Sequence, residues 1–230
     1  PLKRDGALGP RTQLFNGHTG GPDVKRQGTA HIHSARFLDK ETVLATDFSA
    51  DAILRYHYAD GKLSPRGVAG KLDSGSAPRH LEFSRDGRTV YAMSEIGGTV
   101  TVFRNVKGTL KKIQVIASDS VGGEGGADIH LTPDGRFLYS SNRLKADGIA
   151  IFKVDAQNGK LTKVGYQDTG IHPRNFNITP NGRLLLAACR DSNVIQVFRI
   201  DPKTGLLTDL HKDIHLSKPV CVKFVALGSK

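Results

Sequence analysis

The stretch PRHLEFSRDGRTVY, residues 78–91, recurs twice more along this chain of 230 residues. It returns as GADIHLTPDGRFLY at residues 126–139 and as PRNFNITPNGRLLL at residues 173–186. The glycine of its turn therefore recurs at intervals of 48 and then 47 residues. A shorter, more divergent copy covers residues 31–44. Because self-similarity at a period of roughly 20–50 residues identifies solenoids, propellers and arrays, this repeat decides the fold.

Each copy contains the same four predicted strands, which we label A to D. In three of the copies, strand A runs into an Asp-Gly or Asn-Gly turn, the strongest short-range hairpin signal, and strand B follows the turn in all four. The four copies of strand C are Ile53–Tyr58, Val100–Arg104, Ile149–Val154 and Val194–Ile200. A second glycine turn leads into strand D. Four short antiparallel strands in each repeat predict an all-β protein whose repeats are the four-stranded blades of a β-propeller.

The repeats predict a single domain over residues 1–230 with about four full blades and two partial ones. Residues 1–30 resemble the end of a preceding blade, and residues 219–225 resemble only the first strand of a following blade. Four full blades flanked by two partial ones do not close a ring neatly. We therefore expect the propeller to be incomplete here, with about two to three further blades on the N-terminal side.

The composition limits the partners that the protein can have. The net charge is +11, but the basic residues are scattered, without a run of about 5–8 Lys or Arg residues. This distribution favours a small anionic substrate over nucleic acid. No apolar stretch is long enough to span a membrane. Cys189 and Cys221 lack a CxxC or Cys/His context, so we expect reduced thiols, with a disulfide as the alternative, and a cytoplasmic location.

Polar residues recur where strand A begins and where strand B ends. The residues at the starts of strand A are His33, Arg79, Asp128 and Arg174. The residues at the ends of strand B are Glu95, Arg143 and Arg190. In the first copy, Asp47 lies near the end of strand B. The start of A and the end of B are neighbours in a hairpin, and strand A is the innermost strand of a blade. We therefore expect these residues to converge at one mouth of the channel, where they would form a site.

Some of these residues also have a structural interpretation. A pair such as Arg79–Glu95 can be a clamp between strands. His130, two residues deeper in strand A, can be either a hydrogen-bonded core histidine or a site residue. A metal site made of His33, His130 and Asp128 lacks ligand spacing, so we expect neither a metal nor a cofactor.

Two other histidines and a glycine-rich segment are expected to lie outside the reacting centre. His80 follows Arg79 directly, so its side chain should point to the opposite face of the strand. His172 precedes a proline and should lie in a surface loop. The segment 122–126 has no helix after it to form a phosphate loop, and we expect a flexible loop at the border of the same mouth.

At these residues the sequence resembles a known family, the propeller lactonases, which include bacterial 6-phosphogluconolactonases and carboxymuconate lactonising enzymes. The matching motifs, in chain order, are His33-Ser-Ala, Gly75-Ser-Ala-Pro-Arg-His80, Ser94-Glu95, Ala127-Asp-Ile-His-Leu-Thr-Pro-Asp-Gly-Arg136, Asn142-Arg143 and Pro173-Arg-Asn-Phe-Asn177. The resemblance implies a seven-bladed propeller. The site residues that it implies are His33, Arg79, Glu95 and Arg143, with His130 and Arg174 close by. The first turn departs from the family pattern because it lacks its glycine.

The resemblance implies the hydrolysis of a phosphorylated sugar lactone, 6-phosphogluconolactone, to 6-phosphogluconate. Glu95 or His33 could be the general base, since histidine titrates near neutral pH. A carboxylate beside Arg79 would be a weaker base, so we favour His33 as the base and Glu95 as the group that orients it or anchors the water. Arg79 and Arg143 would stabilise the oxyanion. We expect Arg174, His130, Asp128 and Arg190 to bind the substrate. Arg174 would bind its phosphate.

Two other functions stay open at this point. One is a cycloisomerase or related lactonising enzyme that uses the same arginines to bind a carboxylated substrate. The other is a non-catalytic propeller that binds a protein or a glycan, because a fold does not fix a function. The sequence predicts no oligomeric state.

Overall fold

The computed structural model describes residues 3–225 as one short helix followed by four antiparallel sheets. The helix is α1 (Val24–Gln27). The first sheet consists of β1 (Ile32–Phe37), β2 (Thr42–Asp47), β3 (Ala52–Ala59) and β4 (Lys62–Lys71). The second consists of β5 (Pro78–Phe83), β6 (Thr89–Ser94), β7 (Thr99–Val106) and β8 (Thr109–Ala117). The third consists of β9 (Gly126–Leu131), β10 (Phe137–Asn142), β11 (Gly148–Val154) and β12 (Leu161–Asp168). The fourth consists of β13 (Pro173–Ile178), β14 (Leu184–Cys189), β15 (Val194–Ile200), β16 (Leu207–Asp209) and β17 (Ile214–His215).

Within each sheet the strands pair in the order in which the chain forms them. The predicted blades of four strands are therefore confirmed, and each predicted strand C lies within β3, β7, β11 or β15. The first strands of the sheets, β1, β5, β9 and β13, lie beside one another and form the inner wall. The fourth blade differs from the others because β16 and β17 pair with opposite ends of β15, so that its strand D consists of two pieces.

In the second, third and fourth blades, the backbone conformation of the turn between strands A and B requires a glycine. Gly87, Gly135 and Gly182 have φ angles of 66°, 73° and 70°. Residues with a side chain rarely adopt this left-handed region, whereas glycine enters it readily. The repeated glycine therefore allows the tight connection between strands A and B in three blades.

The core lies between the faces of neighbouring blades. Leu44 and Ile53 of the first sheet pack with Phe103 of the second, and all three side chains are fully buried. Tyr91 of the second sheet and Phe152 of the third lie in the next cluster of apolar side chains. The second and third blades have a neighbouring blade on each face, so their strands are apolar on both sides.

Both ends of the described chain differ from the expectation. The segment before α1 forms no strand of a preceding blade; instead, Gln13 exchanges two hydrogen bonds of 2.9 and 2.8 Å with the backbone of Leu63, and Phe15 packs on Tyr56. Residues 219–225 were expected to form a strand, and the structure shows none there. The backbone of Val222 bonds to the side chains of two asparagines of β13 rather than to a neighbouring strand.

Two smaller expectations concern membranes and thiols. No helix among residues 3–225 is both long and apolar enough to cross a bilayer. Cys189 is buried, Cys221 is exposed, and both are free thiols.

Candidate functional site

Each inner strand carries a β-bulge near its start. The extra residue of the bulge is His33 in β1, Arg79 in β5, Arg174 in β13 and one residue of the segment 127–128 in β9. A bulge bends the strand locally and changes the direction of the side chains beside it. The four positions that the sequence predicts at the starts of strand A are thus the positions where the backbone departs from regular pairing.

The ends of strand B align with these bulges in all four blades. The backbone N–H groups of Phe48, Glu95, Arg143 and Arg190 donate to the carbonyl groups just before strand A, at 2.9, 2.9, 2.9 and 3.0 Å. The first blade therefore places Phe48 at this position, and the nearby Asp47 corresponds to Ser94 of the second blade. The carboxylate of Asp47 accepts instead from the backbone N–H of His18 at 2.8 Å.

Glu95 lies among three guanidinium groups. Its Oε2 lies 2.8 Å from Nε of Arg79 and 3.2 Å from Nη2 of Arg143, and Arg26 of α1 pairs with its Oε1. Burial alone would raise the pKa of Glu95, but Arg143, Arg79 and Arg26 outweigh it and lower that pKa. Glu95 is therefore an anion at neutral pH, with more positive than negative charge around it.

Arg79 and Arg143 are held rigidly. They are 3% and 4% exposed. Nη1 of Arg79 donates to the carbonyl of Ala127 at 2.6 Å, and Arg143 donates to the carbonyls of Gly125 and Gly126, both at 3.1 Å. Burial, followed by the charge of Arg143, lowers the pKa of Arg79 to about 10, so it stays a cation at neutral pH. Fixed cations of this kind stabilise developing negative charge without reorganisation.

His33 is exposed at the mouth, and its ring lies 5.1 Å from that of His80. Desolvation by neighbouring protein atoms, followed by the cationic Arg79, lowers the pKa of His33. The imidazole is therefore neutral at pH 7, and its lowered pKa, about 3, also makes it a weaker base than an ordinary histidine. Within residues 3–225 no hydrogen bond joins His33 to Glu95, because the carboxylate of Glu95 contacts arginines instead. No direct contact therefore supports the expected role of Glu95 in orienting His33.

Asp128 and His130 lie deeper, on the channel wall. Asp128 is buried, and its Oδ2 lies 3.1 Å from Nε2 of His130. Nδ1 of His130 lies 3.3 Å from Oε2 of Glu82. Burial opposes the protonation of His130, but the two carboxylates outweigh it and raise the pKa to about 9. Asp128 and His130, together with His80 and Asn175, line a cavity of about 300 Å³.

Arg174 and Arg190 have different surroundings. Arg190 makes two bonds to its neighbour Asp191, at 2.7 and 2.9 Å. Arg174 is half-buried, and no hydrogen bond or ion pair joins its side chain to another residue of the described range 3–225. Of the two, Arg174 is therefore the cation that a substrate can reach without displacing a protein carboxylate.

Three further residues at the site were not predicted to be there. Arg26 comes from the segment before the first blade. His80 was expected to point away, but the bulge at Arg79 turns it towards His33. His172 was expected at the surface, yet it is 7% exposed and lies 3.4 Å from Nη1 of Arg143, so that expectation was wrong.

Some signal for these residues exists in the sequence. His80 lies inside a repeated motif, next to a predicted site residue. Arg26 follows Asp23, a good N-cap, whose carboxylate accepts from the backbone N–H groups of Lys25 and Arg26. Neither pattern says which side chain these residues contact.

Side chains that could bind a metal ion do not cluster in the described part of the chain. Across the range 3–225, no group of three or more His, Cys, Asp or Glu side chains is arranged to hold a metal ion.

Comparison with known proteins gives a consistent result. A family model described as lactonase, 7-bladed beta-propeller, matches residues 1–224. A 6-phosphogluconolactonase of Formosa agariphila is 38% identical over 206 residues, which cover 85% of this chain and 58% of that protein. A 6-phosphogluconolactonase of Bacillus subtilis is 33% identical and covers 98% of this chain, which spans 66% of that protein.

Two solved structures are similar to this one. A candidate 6-phosphogluconolactonase from Bacteroides uniformis has a TM-score of 0.93 and 54% identity, covering 98% of this chain and 66% of that one. A periplasmic gluconolactonase of Pseudomonas aeruginosa has a TM-score of 0.90 and 32% identity, covering 99% of this chain and 66% of that one. The chain thus spans 58–66% of the length of these four relatives.

Proposed function

Because the chain belongs to the family of seven-bladed β-propeller lactonases, we propose that it hydrolyses a phosphorylated sugar lactone, 6-phosphogluconolactone, at the mouth of the propeller channel. The observation that carries this proposal is the combination of a neutral, exposed His33 with buried, fixed Arg79 and Arg143. A base and two cations at one mouth are what the hydrolysis of a lactone requires.

The reaction adds a water oxygen to the lactone carbonyl carbon. His33 takes one proton from this water as the C–O bond forms, and the carbonyl oxygen becomes an oxyanion. Arg79 and Arg143 stabilise this negative charge. When the bond from the carbonyl carbon to the ring oxygen breaks, the proton on His33 passes to that oxygen. The products are a carboxylic acid and a hydroxyl group on one open chain, and His33 is neutral again. The carboxylic acid then releases the second proton of the water to solvent and becomes a carboxylate.

Glu95 has a supporting role in this scheme. Its carboxylate contacts Arg79 and Arg143 and therefore fixes both guanidinium groups where the oxyanion forms. The structural-clamp interpretation and the site interpretation of the Arg79–Glu95 pair are thus compatible. Asp128 and His130 lie deeper than the reacting carbonyl and would contribute to the wall of the substrate site.

Arg174 is the residue that we assign to the substrate phosphate. It is half-buried at the mouth and has no carboxylate partner within residues 3–225. A guanidinium group binds phosphate through two parallel, charge-assisted hydrogen bonds. Arg190 would assist only if its two bonds to Asp191 were exchanged for bonds to the phosphate.

The comparisons favour lactone hydrolysis over the two other functions considered, since the relatives are named as 6-phosphogluconolactonases and a gluconolactonase. These names differ in whether the sugar carries a phosphate. The assignment of Arg174 to the phosphate favours the phosphorylated substrate, whereas one relative is named as a periplasmic gluconolactonase.

The test compares the rates at which the natural full-length protein hydrolyses phosphorylated and unphosphorylated gluconolactone. The rate of acid release is measured for the wild type, Arg174→Ala and the exposed control Arg183→Ala. We expect Arg174→Ala to raise KM for the phosphorylated lactone at least tenfold, with little change for the unphosphorylated one or in the control. Absence of turnover of both lactones by the wild type would contradict the proposed function.

A further inference from the structure

A continuous chain of polar contacts joins the channel wall to the mouth. We call the set Glu82, His130, Asp128 and His80 the channel relay. Its successive distances are 3.3 Å from Glu82 to His130, 3.1 Å from His130 to Asp128 and 2.6 Å from Asp128 to His80. Nε2 of His80 then lies 3.3 Å from Nη1 of Arg79. The relay therefore ends on an arginine that the proposed reaction uses.

These contacts define the proton position on His80. A carboxylate only accepts hydrogen bonds, so Nδ1 of His80 donates to Oδ1 of Asp128. A guanidinium group only donates, so Nε2 of His80 accepts from Arg79. Both neighbours thus select the neutral tautomer with its proton on Nδ1. Burial, the largest influence on His80, lowers its pKa and also favours the neutral form.

Asp128 is itself held firmly. It is 3% exposed, and besides the two histidines it accepts from the side chain of Asn175 and the backbone N–H of Ile129. A carboxylate with this many donors stays ionised, and the pKa of Asp128 is lowered because hydrogen bonds from His130 and His80 outweigh its burial. His80 therefore has a fixed partner on the side away from the mouth.

The other side of His80 meets the reacting groups. Its ring lies 5.1 Å from the ring of His33 at an angle of 62°, and its Nε2 faces Arg79. The charged or titratable groups around His80 are Asp128, His130, Arg79 and His33, from three inner strands. No contact of His80 with Glu95 is seen in the described range.

We infer that His80 is a positioning residue of the lactonase site: anchored by Asp128, it presents an unprotonated Nε2 to Arg79 and packs against His33. The mechanism above uses Arg79 and His33 directly, so His80 acts through them. This inference rests on the proposed function for its kinetic consequence, whereas the tautomer of His80 follows from the contacts alone.

The test uses His80→Asn in the natural full-length protein. The Asn amide reproduces the Nδ1 donor to Asp128 but removes the acceptor for Arg79 and the ring beside His33. We expect kcat to fall about 10-fold to 100-fold with KM for 6-phosphogluconolactone within about twofold, because misplacing a catalytic group slows the chemical step. The matched control is His215→Asn, an exposed histidine outside the site, which should leave both constants unchanged.

A second variant separates a positioning role from a loss of packing. In His80→Gln, the amide oxygen can accept from Arg79 in place of Nε2, so part of the lost kcat should return relative to His80→Asn. Equal activity of His80→Asn and the wild type would overturn the inference. So would equal, large losses in both variants accompanied by loss of folded signal in circular dichroism.

Nitrogen-15 NMR of histidine-labelled protein gives a readout that does not depend on activity. The signals that disappear in His80→Asn assign His80, and the wild type should show its proton on Nδ1 and a bare Nε2. A proton on Nε2, or on both nitrogens at pH 7, would overturn the inference. If the tautomer is as expected and no lactone is turned over, the proposed function fails while the anchored His80 stands.

Discussion

Glu95→Gln tests the charge arrangement at the mouth. The substitution keeps the shape of the side chain but leaves Arg79 and Arg143, 3% and 4% exposed, without their shared anion. Breaking a buried ion pair on one side costs about 3–5 kcal/mol, because a buried charge loses its partner. The remaining amide oxygen recovers about 1 kcal/mol as a hydrogen-bond acceptor. The contact with the more exposed Arg26 adds little.

We therefore expect Glu95→Gln to lower the free energy of unfolding by about 3 kcal/mol at pH 7. Urea denaturation followed by circular dichroism measures this difference. The control is Glu124→Gln, which removes an exposed carboxylate from the loop beside the same mouth. This control should change stability by less than about 0.5 kcal/mol.

The pH dependence of the difference provides an independent check. The folded-state pKa of Glu95 is lowered from the ordinary value of 4.5. Its ionised form therefore contributes stability above about pH 4.5, and this contribution is lost as the pH falls from 4.5 through the folded-state pKa. The gap between wild type and Glu95→Gln should be constant from pH 6 to 8 and narrow below pH 4.5. A gap below about 1 kcal/mol at pH 7, or one that widens in acid, would refute the reasoning.

Three further predictions concern the base, the turns and the core. Because the pKa of His33 is lowered, kcat measured against pH should stay level as the pH falls through 6.5, and an acid limb at or above 6.5 would contradict His33 as the neutral base. Gly205→Ala should lower the free energy of unfolding by about 3 kcal/mol, because φ of Gly205 is 75° and the new methyl group would overlap the Phe137 ring. Gly135→Ala should lower it by about 1 kcal/mol, because the space around Gly135 is open. Equal losses of the two variants in thermal denaturation would refute this. Phe176→Ala should destabilise the protein by about 3–5 kcal/mol in urea, because this fully buried ring fills the core between the third and fourth blades, and a loss under 1 kcal/mol would show that the core collapses around the gap.

Local signals predicted the blades well. The Asp-Gly and Asn-Gly turns fix a hairpin within a few residues, and the apolar strands on either side fix its register. For this reason the predicted span of the fourth strand C, Val194–Ile200, is the observed β15. The prediction failed at residues 219–225, where an apolar run has no strand paired with it, because a strand needs a partner as well as a suitable sequence.

The candidate site was predicted in part. Aligning the repeats identified Arg79, Glu95 and Arg143, which the structure joins in one cluster. The same alignment misplaced His80, because the rule of alternating faces does not hold across a β-bulge. It also missed Arg26, whose partner Glu95 lies 69 residues further along the chain.

The sequence by itself determined that the chain folds into four-stranded blades and that polar residues repeat at the start of strand A and the end of strand B. These features depend on contacts between residues close together in the chain, which leave a readable period. Only the tertiary structure decided that His80 lies between Asp128 and Arg79, and that three guanidinium groups surround Glu95. Those contacts join different blades and the segment before them. Their geometry depends on how the blades pack and where each inner strand bulges, and no local pattern encodes either.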